Sequence, residues 1–107
     1  MTEQILPQNC ASMADVRAGI DQLDRTLVEL LALRAGFIDR ATELKQVNGW
    51  PARIPDRVED VVAKVKAAAV AADWDDDLAE ELWRRLIDWS IAREARVIRE
   101  NGDVDAS

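Results

Sequence analysis

Three cations in this sequence fall where a helical core calls for apolar side chains. At about 100° per residue, Arg34 lies in the middle of a stripe formed by Leu27, Leu30, Ile38 and Ala41. Lys45 follows three turns later, within about 20° of the same line and about 16 Å along the axis. Arg57 has the same place in a second stripe, with Val61, Val65 and Ala68. The carboxylates of the first stretch, Asp21, Asp24, Glu29, Asp39 and Glu43, lie off its apolar line, so none is an evident counter-ion. An unpaired buried cation costs several kcal/mol, roughly, so something anionic must meet these groups. For any one of them, pairing with Asp88 or Glu94 from another helix, or snorkelling to water, explains the placement equally well. For all three together, a bound anion is the better explanation, and the spacing suits a compact molecule with more than one carboxylate. Arg17 lies about 100° off the stripe and far up the helix, so it could reach such a pocket from a second chain, while a solvated Arg is the ordinary reading.

The rest of the composition narrows the chemistry. The chain has 107 residues and no histidine, which excludes a Ser-His-Asp triad, a Cys-His pair and imidazole metal ligands. The single Cys10 forms neither an internal disulfide nor a thiolate cage. No metal or cofactor motif is present. A net charge of −7 argues against nucleic acid and acidic membranes as partners. No apolar run spans a bilayer, and the N-terminus lacks the basic-then-apolar pattern of a signal peptide, so a cytoplasmic protein is expected.

The elements that must position these cations read as helices, and nothing reads as a strand. Ser12 followed by Asp15 resembles a capping box, and apolar residues then recur at helical spacing from Ile20 to Ala41. Asn48-Gly49 ends that pattern. Pro55 opens a second helix carrying Val58, Val61, Val62, Val65 and Ala68. The acidic run Asp73, Asp75, Asp76, Asp77 suits the N-terminus of a third, which carries Leu78, Leu82, Leu86, Trp89 and Val97. Residues 1–11 and 102–107 read as flexible tails around a domain at 12–101. The expected fold is all-α, three helices per chain. A first helix over residues 13–47 would be about 50 Å long, against about 35 Å for a globule of this size. It needs another chain to cover it, and an intertwined homodimer is the simple solution. A kink at Gly36 is the alternative.

With these residues in view, the chain resembles the all-α class of chorismate mutases over roughly residues 12 to 100. Asp15-Val16-Arg17 with Ile20-Asp21-Gln22-Leu23-Asp24 is similar to that family's opening helix. Arg34, Lys45, Asp56-Arg57 and the Ser90…Glu94 pair fall at its active-site spacing without a gap. The resemblance implies an intertwined dimer in which each pocket borrows Arg17 from its partner. It also implies a pericyclic rearrangement of chorismate to prephenate in aromatic amino acid biosynthesis, which uses neither nucleophile nor proton relay. Catalysis would come from holding a chair-like conformer and placing positive charge at the ether oxygen. By that analogy Arg17, Arg34 and Arg57 hold the carboxylates, Lys45 donates to the ether oxygen, and Ser90 lines the pocket. A helical Ser bonding its own backbone is an equally good reading of Ser90.

Two positions depart from the family pattern. Glu94 stands where many members have Gln as a second donor, so it must be protonated to donate; burial opposes its charge while nearby cations favour it. A structural salt bridge to Lys45 is the competing reading. Val58 stands where bacterial mutases often have a Glu that contacts the ring hydroxyl, and Ile54 replaces an acidic residue of that loop. There the chain is similar to a related branch, the isochorismate–pyruvate lyases of salicylate synthesis. The stretch Ile87-Asp88-Trp89-Ser90-Ile91-Ala92, Cys10 and Ala14-Asp15-Val16-Arg17 carry this second resemblance. Chorismate mutase is the first expectation and the lyase the second. A dimeric helical module that binds a metabolite or a partner without turnover is the third.

Overall fold

The computed structural model describes residues 3–100. A 3₁₀ turn at Pro7–Asn9 precedes three helices: α1, Met13–Asn48; α2, Pro55–Ala71; and α3, Asp76–Glu100. No strand occurs among the described residues, so the fold is all-α with three helices, as expected. The expected tail at 102–107 lies outside the described residues. No helix among them is long and apolar enough to cross a membrane. Contacts divide the chain into two units, Met1–Phe37 and Ile38–Ser107.

In the first unit, Ser12 caps α1. Its Oγ accepts the Asp15 backbone N–H at 3.1 Å, while the Asp15 carboxylate accepts the Ala11 N–H at 2.9 Å. The reciprocal arm of the capping box thus reaches one residue further out than the usual pattern. Within the stretch 1–11 expected as a flexible tail, Glu3, Gln4, Ile5 and Ala11 hydrogen-bond to α1. The Gln22 amide accepts the Ile5 N–H at 2.8 Å and donates to the Glu3 carbonyl at 2.9 Å, so both of its polar atoms are satisfied. Buried Gly19 lies against Ile5, where a Cβ would meet Ile5 Cγ2 at 3.4 Å, an ordinary packing contact. The apolar side chains of α1 remain open to solvent in the single chain, Leu27 at 54% and Phe37 at 70% exposure.

In the second unit, α1 ends in a Schellman motif. Gly49 takes a left-handed φ of 72°, Trp50 N–H donates to the Lys45 carbonyl at 2.8 Å, and Gly49 N–H donates to Gln46. Pro55 occupies the first turn of α2, where its missing N–H is no loss. The same C-terminal device closes α2: Trp74 N–H donates to Ala69 and Asp73 N–H to Val70, with Asp73 itself at a φ of 57°. Asp75 then caps α3 by accepting the Leu78 N–H at 2.9 Å. The acidic run therefore divides its labour, Asp73 turning the chain and Asp75 starting the next helix.

Helices α2 and α3 pack with Val62, Ala69, Ala79 and Ile87 buried. Small residues at two of these four positions favour close approach of the helices. The exposed margin carries Glu80, bonded to Lys66 of α2 and Arg84 of α3, while Arg84 also grips Glu59. These cations hold the Glu80 and Glu59 carboxyls below their usual range, through hydrogen bonds first.

Aspartate adopts a positive φ more readily than most residues, yet glycine fits that backbone better. Asp73→Gly should raise unfolding free energy by about 0.5 kcal/mol and Asp73→Ala lower it by about 1 kcal/mol. Urea melts at one fixed protein concentration read both changes.

Candidate active site

The buried face of α3 changes character along its length. Ala79 and Ile87 are followed at helical spacing by Ser90 and Glu94, the latter only 3% exposed. A buried carboxylate requires donors. Two come from the last turns of α1: Lys45 Nζ at 3.1 Å from Oε1, and Thr42 Oγ1 at 3.3 Å from Oε2. Thr42 is itself buried, and its Oγ1 also lies 2.9 Å from the Ile38 carbonyl. Ser90 Oγ donates to the Leu86 carbonyl at 3.0 Å, the backbone-bonded reading of that residue.

Lys45 is held from a third side. Its Nζ donates to the Ala52 carbonyl at 2.7 Å, which fastens the connection between α1 and α2 to the ammonium. On the outside, Arg53 of that connection pairs with Asp88 of α3 at 3.1 Å. An ammonium has three N–H bonds, and Glu94 and Ala52 take two. The Lys45 side chain is 17% exposed.

Lys45 and Glu94 are thus brought together, in the salt bridge that the sequence offered as the competing reading of Glu94. Asp88, the other carboxylate considered as a partner for the core cations, pairs with Arg53 instead. Arg57 does not point into a dry core. Its side chain is 63% exposed and bonds Asp60 one turn along α2 at 2.7 Å, with Lys64 on the same carboxylate. At the first turn of a helix, a long side chain reaches water regardless of its angular position. Hydrogen bonds from Lys64 and Arg57 hold the Asp60 carboxyl below its usual range. Val58 is half-buried beside it in sequence. Arg17, exposed, and Arg34, half-buried, belong to the first unit.

A cavity of about 420 Å³ opens beside Thr42, between Asp39 and Gln46 of α1 and Arg93 and Arg96 of α3. Arg93 grips Asp39 through two hydrogen bonds, of 2.7 and 2.9 Å, and stacks over Trp89 at 5.5 Å. That grip keeps the Asp39 carboxyl below its usual range. Thr42 escaped the sequence reading because a threonine on an apolar stripe looks neutral. Its position three residues before Lys45, one helical turn away on the same face, was the available signal.

The chain has relatives along most of its length. The sequence pattern that defines the chorismate mutase type II family matches residues 16–95, and the chain belongs to that family. It is 28% identical over 95 residues to an isochorismate pyruvate lyase of Pseudomonas aeruginosa, covering 88% of this chain and 92% of that one. It is 31% identical over 83 residues to a T-protein of Haemophilus influenzae, and 31% over 77 residues to a T-protein of Enterobacter agglomerans. The first of these alignments covers 78% of this chain and 22% of the T-protein, the second 72% and 21%. The chain therefore spans about a fifth of each T-protein and nearly all of the lyase.

The pair is asymmetric in its access to water, so its two halves should differ in what their removal costs. Lys45→Ala leaves a buried carboxylate with Thr42 as its donor and should destabilise the fold by about 3 kcal/mol. Glu94→Gln keeps an acceptor for Lys45 and should cost about 1 kcal/mol or less. Chemical denaturation of both variants checks the order.

Proposed function

We propose that the chain is a homodimeric chorismate mutase that rearranges chorismate to prephenate, with Lys45 as its central cation. The observation that carries this reading is the fixed ammonium. Two of its N–H bonds are committed to Glu94 and the Ala52 carbonyl, so the direction of the third is set before any substrate arrives. In the rearrangement the ether C–O bond breaks as a C–C bond forms within the same molecule, and negative charge grows on the ether oxygen. A donor already in place meets that charge without reorganising, which is the condition under which electrostatic catalysis is strong.

Arg57 supports the same reading despite its exposure. A surface pair such as Arg57–Asp60 is worth about 0–1 kcal/mol, so exchanging Asp60 for a substrate carboxylate costs little. Arg34 is the second carboxylate holder, Ser90 and Val58 line the pocket, and Arg17 enters from the partner chain. The uncovered apolar side chains of α1 support a dimer, since Leu23, Leu27, Leu30, Leu31 and Phe37 are each more than 40% exposed in one chain. The cytoplasm is the expected location.

Isochorismate–pyruvate lyase is the second reading, and Val58 is the observation that favours it. An apolar side chain offers no partner to a ring hydroxyl, and the position of that hydroxyl distinguishes isochorismate from chorismate. The lyase reaction is also pericyclic and draws on the same cations. A non-catalytic binding module is the third. Incubation with each substrate separates the readings: prephenate marks the first, salicylate with pyruvate the second. Binding of a bicyclic dicarboxylate analogue without turnover of either substrate marks the third.

With the productive substrate, Lys45→Ala should lower kcat by at least about 100-fold.

The partner contribution has its own test. Arg17→Ala and Lys45→Ala should each be nearly inactive alone. Co-refolded in equal amounts they should regain roughly a quarter of wild-type activity, because half the sites of a mixed dimer are intact. No recovery from verified mixed dimers places Arg17 in its own chain's pocket.

A further inference from the structure

We infer that Gln22 is a positioning residue for Arg17. It fastens residues 3–11 back along α1 as a strap, which steadies the turn from which Arg17 reaches the other chain's pocket. The inference rests on the reading of Arg17 as a substrate ligand supplied in trans.

Arg17 is the fifth residue of α1. A helix start is its loosest part, because the first four N–H groups have no partner inside the helix. A guanidinium carried there loses its aim whenever that turn unwinds.

Ties on both sides bracket the turn. Before it, Ser12 and Asp15 close the cap, and the Val16 N–H donates to the Ser12 carbonyl at 3.1 Å. After it, the Gln22 carboxamide clasps the main chain of the strap, accepting the Ile5 N–H at 2.8 Å and donating to the Glu3 carbonyl at 2.9 Å. Gln4 adds another tie, its Nε2 donating to the Gly19 carbonyl at 3.3 Å. Between clasp and cap the strap is bonded to itself. The Asn9 N–H donates to Leu6 at 3.0 Å and the Cys10 N–H to Pro7 at 3.1 Å. The start of α1 therefore sits in a closed ring of hydrogen bonds that runs from Ile5 to Gln22, and unwinding it requires the clasp to open.

The strap also leaves Arg17 clear. Asp15, Gly19 and Gln22 share one face of α1, and Arg17 lies about 150° round the axis from them. Its side chain is exposed, whereas Gln22 is half-buried under the strap. The helix is gripped from behind the residue that it presents.

The test is Gln22→Ala, which removes the clasp and keeps a strong helix former in its place. Hydrogen exchange followed by NMR on the full chain should show the amides of residues 16–19 exchanging about tenfold faster, with those of 27–33 unchanged. With the productive substrate, KM should rise at least about threefold and kcat change less than about twofold, as for loss of a carboxylate holder. Thr26→Ala, one turn further along the same face and outside the strap, should match the wild type in both measurements.

Mixed dimers purified through two tags supply a readout that a merely structural role would not move. With Gln22→Ala in one chain and Lys45→Ala in the other, the one working pocket takes Lys45 from the first chain and a strapped Arg17 from the second. Its KM should return to within about twofold of the wild type. A KM still raised there, or wild-type exchange at residues 16–19 in Gln22→Ala, overturns the inference. Should Gln22→Ala fail to fold, Gln4→Ala decides: faster exchange at the same amides supports the strap, and unchanged exchange rejects it. Inactive mixed dimers of Arg17→Ala with Lys45→Ala would overturn the trans reading and the inference with it. Recovery there beside a raised KM in the Gln22→Ala dimers would overturn the inference alone.

Discussion

A carboxylate in a protein interior must be answered by donors, and the answer given to Glu94 organises much of the second unit. The last turns of α1 supply both donors, Thr42 and Lys45, and this fixes how those turns meet α3. The ion pair is weak evidence of stability, because desolvating two charges offsets most of their attraction. Its value lies in direction. A lysine is a flexible stem with a rotating head, and two committed bonds turn it into a fixed donor.

The same constraint explains the departure from the usual glutamine. A glutamine amide has one acceptor and one donor end, whereas a carboxylate has two acceptor ends until it takes a proton. An anion beside the lysine therefore holds it more firmly but opposes charge growing on a substrate.

Helix boundaries were legible where the backbone chemistry is local. Ser12, Asn48-Gly49 and Pro55 each act through their own peptide groups, and their residue types reveal it. Asp73 was harder to read, because three further aspartates surround a residue doing the work of a glycine. The site was legible in part. Lys45 and Glu94 stood out as charges on apolar stripes, and their pairing was one of the alternatives that spacing allowed. Arg57 misled because angular position says nothing of distance from a helix end. Thr42 stayed hidden because its importance depends on a partner 52 residues away. The proposed homodimer and the pocket proposed to be shared between two chains rest on uncovered apolar surface and family likeness rather than on a contact within one chain.

The grip of Ala52 on Lys45 is made by a main-chain oxygen. Such a contact has no signature in the genetic code, since every residue type carries the same carbonyl. Point mutations at that position therefore pass over it, whereas a codon gained or lost between Gly49 and Ile54 shifts the oxygen and unmoors the ammonium. Among descendants of this chain, that short connection is free to change its spelling but not its length.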